Sequence, residues 1–200
     1  MNKAITLAIT GASGMPYAVF LLKELLMRNY LVNLIFSKAG IITFHHELSV
    51  SLSSSPRLIK KTLLAHLQLE VHFNNLEVYG NHDWYAPIAS GSSVNEAMVI
   101  CPCSMATLAK VANGIADDLI IRAADVIIKE RKNLIIVPRE TPLSAIHLEN
   151  MLKLAKLGVA IIPPMPSFYN EPLTISDIVN FGVSKILDQL NISNNLTKRW

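Results

Sequence analysis

A strand, a glycine turn and a helix follow one another directly near the N-terminus. An apolar run over residues 4–9 predicts a buried strand, and Thr10-Gly-Ala-Ser-Gly14 interrupts it with a tight turn of small residues. Pro16 suits the first turn of a helix, where its missing N–H costs nothing. This order of elements leaves backbone N–H groups free to bind a phosphate. The segment therefore predicts a site for a nucleotide or another phosphorylated cofactor.

Strands and helices alternate along the whole chain. Apolar runs predict strands near residues 4–9, 31–36, 97–101, 133–137 and 158–162. Start signals and apolar periodicity predict helices near residues 15–28, 38–47, 56–67, 104–112, 117–131, 144–157 and 174–190. Such alternation is typical of a doubly wound, mostly parallel, Rossmann-like α/β sheet with helices on both faces. We expect a single domain over residues 1–190 and a tail over residues 191–200 that ends in Trp200 and docks on a neighbouring subunit.

Composition argues against several kinds of partner. Apolar residues make up 51% of the chain and charged residues only 16%, which favours strands buried on both faces, extensive subunit contacts, or both. The net charge is +3 and no basic run occurs, so nucleic acid is a poor candidate partner. Residues 4–22 carry no charge, but Gly14 and Pro16 would break a membrane or signal helix there. We expect a cytoplasmic protein without a membrane role.

The two cysteines, Cys101 and Cys103, flank Pro102. We expect their thiols to point to opposite faces, to lie buried at the end of a strand, and to form no disulfide. No histidine or acidic residue stands near them in the sequence, so they do not predict a zinc site, and no metal is expected.

Four segments follow predicted strands and are expected to meet. They cover residues 11–14, 37–38, 101–107 and 138–142. In open α/β sheets, ligands bind beyond the carboxyl ends of the strands. Convergence of these four segments is the central structural expectation from the sequence.

The identity of the bound nucleotide is narrowed by what these segments contain. Ser37-Lys38 lacks the acidic residue that an NAD site prefers after its second strand, and no Gly-Lys-Ser/Thr phosphate loop is present. The acid/base Tyr and Lys pair of short-chain dehydrogenases, four positions apart, is also missing. Ser104 opens a second helix directly after a strand. Two anion-binding helix ends around one crevice favour a mononucleotide such as FMN.

Motifs spread over residues 4–190 resemble those of the flavin prenyltransferase family, the UbiX/Pad group. The matching segments are residues 10–14, 37–38, Asp83-Trp84, Ser90-Gly-Ser-Ser93, 101–107, Arg122-Ala-Ala-Asp125, Lys129-Glu-Arg131, Pro138-Arg-Glu140, 147–151 and Phe168-Tyr169. The resemblance implies that reduced FMN accepts a prenyl group from dimethylallyl phosphate at its N5 and C6, without metal. It also implies that the product, prenylated FMN, serves a UbiD-type decarboxylase. The implied assembly is a homo-oligomer, usually a dodecamer, with each site at a subunit junction.

Site residues carried over from the resemblance fall into three groups. Residues expected to bind FMN are Gly11, Ala12, Ser13, Ser37, Ser104, Met105, Ala106, Thr107 and Arg139. Residues expected to bind the prenyl donor are Trp84, Ser90, Gly91, Arg122, Lys129, Arg139, Glu140, Tyr169 and Lys185. Catalytic roles are expected for Glu140, Ser13, Lys129 and Glu47.

The chemistry of these side chains suits a metal-independent transfer. Fixed cations directed at a departing phosphate stabilise its charge, as magnesium does in metal-dependent enzymes. Glu140 is the candidate for receiving the proton released when the ring closes at C6. Lys185 departs from several relatives, which carry Arg there. Because lysine offers charge without a fork of donors, the choice between the monophosphate and the pyrophosphate donor stays open.

Two other interpretations of the sequence remain. A flavin-dependent cysteine decarboxylase would carry a Pro-x-Met-Asn substrate clamp, and residues 163–166, Pro-Pro-Met-Pro, lack the Asn. A non-catalytic flavin-binding or regulatory subunit would have no need for the second anion site that Arg139, Glu140 and Lys129 suggest.

Overall fold

A six-stranded parallel sheet forms the centre of the computed structural model, which describes residues 4–198. Its strands are β1 (Ala4–Ile9), β2 (Leu31–Phe36), β3 (Leu76–Tyr79), β4 (Ala97–Cys103), β5 (Asn133–Pro138) and β6 (Ala160–Ile161). Across the sheet the order is β3-β2-β1-β4-β5-β6. The chain therefore reverses its direction of progress between β1 and β4, as in other doubly wound sheets.

Seven helices connect and cover the described strands. They are α1 (Met15–Met27), α2 (Lys38–Leu48), α3 (Pro56–Leu67), α4 (Met105–Asn113), α5 (Leu119–Lys129), α6 (Ala145–Lys156) and α7 (Ile175–Gln189). Short 3-10 turns cover Glu70–Asn75, Pro87–Ala89, Gly91–Ser93 and Phe168–Asn170. The predicted α/β class is confirmed, and the predicted helices match to within two residues at each end. Strand β3 was not predicted from the sequence.

Apolar cores lie on both faces of the sheet. On one face, Leu21 and Leu25 of α1 and Val183 of α7 are fully buried against the strands. On the other face, Leu108 of α4 and Ile127 of α5 are buried in the same way. Strands covered on both sides need continuous apolar sequence, which is why β4 is buried along its whole length.

The two cysteines lie in different cores. Cys101 packs in the core beside α1 and Cys103 in the core beside α4. The predicted opposite orientation and the absence of a disulfide are confirmed. A regular strand would place residues two apart on one face, so the separation comes from the register shift between Ile100 and Cys103. Burial raises the pKa of both thiols far above the usual range, which keeps them protonated and unreactive.

The C-terminal segment packs on its own chain as far as it is described. The Nδ2 of Asn194 donates to Asp188 Oδ1 at 3.0 Å, and Ile192 is buried against the core. Trp200 lies outside the described residues, and its docking on a neighbouring subunit stays a prediction. Among residues 4–198, none of the helices has the length and apolar character needed to cross a membrane.

Candidate functional site

Backbone hydrogen bonds join the ends of four neighbouring strands at the carboxyl edge. Ser37 N donates to Ile9 O at 3.0 Å, and Thr10 N donates to Pro102 O at 3.2 Å. On the far side of β4, Arg139 N donates to Cys103 O at 3.3 Å. The predicted convergence of the four segments is therefore confirmed. The crevice between the β1 and β4 ends is the position where ligands bind in this class of sheet.

Thr10 connects the two sides of this crevice through its side chain. Its Oγ1 donates to Pro102 O at 2.9 Å and accepts from Ser104 N at 2.8 Å. The residue is fully buried. This role of Thr10 was not predicted, because a single threonine after a strand carries no signal in the sequence for a long-range contact.

Unpaired backbone donors line the crevice from both sides. A Cβ at Gly11 would overlap the side chain of Ala39, so only glycine lets this turn lie against the first turn of α2. The N–H groups of residues 11–13 make no hydrogen bond to any other described residue. The same holds for the N–H groups of Met105 and Ala106, the first two residues of α4. Together these groups form a polar cradle for an anion or a hydrogen-bonding ring.

Serine caps fix both helices that open at the crevice. Ser37 Oγ accepts from Gly40 N at 2.9 Å at the start of α2. Ser104 Oγ accepts from Thr107 N at 3.3 Å and lies 3.0 Å from Thr107 Oγ1 at the start of α4. Because these caps use the third N–H of each helix, the two preceding N–H groups stay available for a ligand.

The N-terminus of α1 differs from the sequence-based prediction. The carboxylate of Glu47 accepts from Gly14 N at 3.0 Å and from Met15 N at 2.8 Å. The glycine turn was predicted to offer the first turn of α1 to a phosphate, but a side chain already occupies it. A negative charge at a helix N-terminus is stabilising, so Glu47 has a clear structural role. The available donors are those of residues 11–13 instead.

Replacing Glu47 with Gln removes the negative charge that lies against the N-terminus of α1. We expect Glu47→Gln to lower the free energy of unfolding by about 1 kcal/mol, or about 2–4 °C in Tm for a chain of this size. Thermal unfolding followed by circular dichroism measures the change. Glu96→Gln is the matched control and should change Tm little, since within residues 4–198 Glu96 pairs only with Lys132, at 3.2 Å on the surface. Equal Tm values for the two variants would contradict the capping role.

Arg139 and Glu140 extend the crevice beyond β5. Both side chains are exposed, and they follow directly on the last residue of the strand. Glu140 Oε1 accepts from Thr141 N at 3.1 Å. Among the described residues Glu140 forms no ion pair, either with Arg139 or with another cation.

A second group of predicted residues lies along α5. Arg122 Nε donates to Ala89 O at 3.0 Å, and its guanidinium pairs with Asp125 at 2.8 Å. Two turns later Lys129 pairs with Glu130. A Cβ on Gly91 would lie only 2.8 Å from Lys129 Nζ, so glycine lets the 91–93 turn approach this lysine closely. The structure thus places Ser90 and Gly91 close to Lys129.

Lys129, at the end of α5, is separated from the crevice within one chain. Lys129 ends α5, and β5 begins at Asn133. Because β5 runs parallel to β1, its first residue lies at the amino edge of the sheet, and six strand residues span about 20 Å. Lys129 and the crevice therefore lie toward opposite edges of the same sheet.

A third group lies on α7 and the segment before it. The rings of Tyr169 and Phe181 meet edge to face at 6.2 Å, and Lys185 Nζ lies 5.2 Å from the centre of the Phe181 ring. Beside them, a cavity of about 240 Å³ is lined by Ser167 and Asn170. Ser167 Oγ and Asn170 Nδ2 are buried there without a hydrogen-bond partner among the described residues. Such atoms indicate that another group completes the surface.

Two further predictions concern Trp84 and metal binding. Trp84 is 47% exposed in the turn after β3, where its backbone N donates to His82 O at 3.1 Å. Its ring is thus available to a ligand or a neighbouring chain. Within residues 4–198, no group of three or more His, Cys, Asp or Glu side chains has an arrangement suited to a metal ion.

Comparison with known proteins gives matches over nearly the whole chain. The family described as Flavoprotein matches residues 1–188. Flavin prenyltransferase UbiX of Halalkalibacterium halodurans is 47% identical over 195 residues, which cover 98% of this chain and 92% of that protein. The solved structure of AnUbiX (PadA1) with FMN and dimethylallyl pyrophosphate is 35% identical with a TM-score of 0.88, covering 100% of this chain and 98% of that one. A dodecameric FMN-dependent UbiX-like decarboxylase from Escherichia coli O157:H7 is 40% identical with a TM-score of 0.86, covering 98% of each chain.

Proposed function

This chain belongs to the Flavoprotein family and, within it, to the flavin prenyltransferases, and on that basis we propose how its residues perform the reaction. The protein is a prenyltransferase that acts on FMN, and it takes its prenyl group from a dimethylallyl phosphate ester. The observation that carries the proposal is the crevice at the β1 and β4 ends, where unpaired backbone donors stand at the ends of two neighbouring strands.

The crevice fits FMN because it offers donors from two strand ends. We assign the flavin to Gly11, Ala12 and Ser13 on one side, with Ser37 beside them. On the other side, residues 104–107 offer N–H groups and two hydroxyls, and Arg139 adds a cation at the rim. A phosphate and a polar ring both need such donors. When bound in its reduced form, FMN supplies N5 and C6 as the two positions that receive the prenyl group.

The donor phosphate is assigned to the cationic groups. Arg122, Lys129, Arg139 and Lys185 supply positive charge, while Ser90, Gly91 and Tyr169 supply hydrogen bonds. Because these charged side chains are already in position before the reaction, they stabilise the departing phosphate without having to move. They take the place of the magnesium ion that other prenyl transfers use. Trp84 offers a π surface to the positive charge that develops on the allyl group.

Proton handling is assigned to the carboxylate at the end of β5. Closure at C6 releases a proton, and Glu140 is exposed at the rim of the crevice with one oxygen accepting from Thr141 N. A carboxylate in this position accepts the proton in the assembled site. Ser13 lies in the glycine turn, within the flavin side of the crevice, and is assigned to the hydrogen bond at N5. Glu47 accepts hydrogen bonds from Gly14 N and Met15 N, and its proposed contribution to catalysis is to position the glycine turn.

We propose that a complete site contains more than one copy of this chain. Lys129 lies toward the edge of the sheet opposite Glu140, so one chain alone does not bring the two together. Large apolar side chains stand exposed around the cavity at Ser167, among them Phe168, Leu173 and Ile175. Exposed aromatic and aliphatic groups beside buried unpaired polar atoms are typical of a subunit interface. A homo-oligomer, and specifically a dodecamer like that of the E. coli relative, accounts for both observations.

The proposed function also includes a recipient for the product and a cellular location. Prenylated FMN is assigned to a UbiD-type decarboxylase, which uses it as a cofactor. The enzyme works in the cytoplasm on small molecules, as one flavin-binding domain, and needs neither nucleic acid nor a membrane.

A direct assay tests the proposed function. Purified protein is mixed anaerobically with reduced FMN and dimethylallyl phosphate, with a chelator in place of added metal. Mass spectrometry of the released flavin should show the added prenyl group, and a parallel reaction with the pyrophosphate compares the two donors. Oxidised FMN serves as the control acceptor and should stay unmodified. A flavin of unchanged mass in every reaction would contradict the assignment.

A further inference from the structure

The sheet ladder between β1 and β4 stops before it reaches the crevice. The two strands pair in register from Ile5 opposite Ala97 to Ala8 opposite Ile100. Beyond Ile100, β4 shifts its register against β5. Beyond the pair Ala8–Ile100, the ends of β1 and β4 are joined instead by the backbone bond from Thr10 N to Pro102 O at 3.2 Å.

Thr10 replaces the missing ladder at this point. Its backbone N and its Oγ1 both donate to Pro102 O, and the same Oγ1 accepts from Ser104 N. The hydroxyl thus reinforces the backbone bond and links Thr10, which precedes Gly11, directly to Ser104, the cap of α4. No other side-chain hydrogen bond among the described residues joins these two turns.

We propose that Thr10 is a positioning residue for FMN. Its hydroxyl sets the distance between the N–H groups of residues 11–13 and those of Met105 and Ala106, so that both sets reach one flavin. Thr10 is fully buried and is separated from the crevice by the turn it anchors, so it acts through its neighbours. The inference rests on the proposed FMN site.

The strand that precedes Thr10, β1, provides a matched control. Thr6 lies on β1 and is 1% exposed, and its Oγ1 accepts from Asn95 Nδ2 at 2.8 Å. It sits four residues before Thr10, away from the crevice. Thr6→Val and Thr10→Val each remove one buried hydroxyl and keep a β-branched side chain. Both variants should lose stability, because each leaves a buried polar partner without its hydrogen bond.

The test compares FMN affinity with stability in the assembled protein. Quenching of flavin fluorescence gives the Kd, and thermal unfolding without FMN gives the Tm. We expect Thr10→Val to raise the Kd about tenfold, the effect of about one displaced hydrogen bond, while Thr6→Val keeps the wild-type Kd despite a similar fall in Tm. Thr10→Ser keeps the hydroxyl and should restore affinity to within about twofold. In turnover, KM for FMN should rise in Thr10→Val while kcat at saturating FMN stays near the wild-type value.

The outcomes separate this inference from the proposed function. If the wild-type protein does not bind FMN, the function itself is wrong. If it binds FMN and the two valine variants show the same Kd, Thr10 is a structural residue only and the inference is overturned. Thr10→Ala carries the same expectation if Thr10→Val does not fold. A tenfold loss of affinity in Thr10→Ser would also overturn the inference, because that variant retains the hydroxyl.

Discussion

Glu140→Gln is expected to reduce kcat by about 10²–10⁴-fold while FMN binds with unchanged affinity. Glutamine has nearly the same shape as glutamate, and its side-chain oxygen still accepts from Thr141 N. It cannot take up a proton, so the step that closes the ring at C6 loses its base. The absence of an ion pair on Glu140 within the described residues leaves the carboxylate available for that role.

Single-turnover mass analysis measures this effect most directly. The variant should bind FMN normally in a fluorescence titration and accumulate little prenylated FMN. Glu149→Gln is the control, because Glu149 is an exposed glutamate on α6. Wild-type turnover in Glu140→Gln would remove the proton-transfer role from this carboxylate.

Lys129→Ala is expected to slow transfer by about 10²–10³-fold, which is typical for loss of one group that stabilises developing charge. Lys129 is held beside the 91–93 turn and pairs with Glu130, so the alanine variant removes a cation from a prearranged cluster. FMN affinity should stay the same, because Lys129 is assigned to the donor phosphate and the flavin is assigned to residues 11–13 and 104–107. Initial rates at several donor concentrations, together with the Kd for FMN, separate the two effects.

Lys132→Ala provides the control for net charge. Lys132 lies three residues after Lys129 but pairs with Glu96 at 3.2 Å, so its loss should change the rate little. A loss of FMN affinity in Lys129→Ala with normal transfer at saturating FMN would place this lysine on the flavin instead.

Mixing the two inactive variants tests where Lys129 acts. If Lys129 and Glu140 of one site come from different chains, subunits of Glu140→Gln and Lys129→Ala that mix at random restore about a quarter of the sites. If both residues of a site come from one chain, every chain in the mixture carries a defect in its own site. Activity would then stay at the level of the separate variants. The comparison requires that subunits are unfolded and reassembled together.

The helices and most of the strands could be predicted because they depend on capping residues and apolar patterns that lie close together in the sequence. Ser104 and Thr174 were predicted to begin helices, and both cap their helices with side-chain hydrogen bonds. Asp117 was predicted to begin α5, but Asp118 is the residue whose side chain caps it, since either aspartate fits the pattern. The four-residue strand β3 escaped detection because Glu77 is exposed within it and so short a run has little periodicity.

The contacts that shape the crevice were not predictable in this way. Glu47 reaches Gly14 across 33 positions of sequence, and Thr10 reaches Pro102 across 92. Neither contact leaves a periodic or capping pattern that a single sequence displays. The orientation of Cys101 and Cys103 was predicted correctly, but a regular strand would have given the opposite result, and only the paired strands reveal the register shift.

Because of that register shift, the structure depends more on the number of residues in the 100–104 segment than on the identity of their side chains. Small apolar side chains in place of either thiol would still fill the two cores, since neither sulfur takes part in a disulfide. Deleting one residue would instead rotate Cys103 toward the wrong core and carry the start of α4 away from β1. We therefore expect this segment to tolerate substitution of a residue but not the insertion or deletion of one.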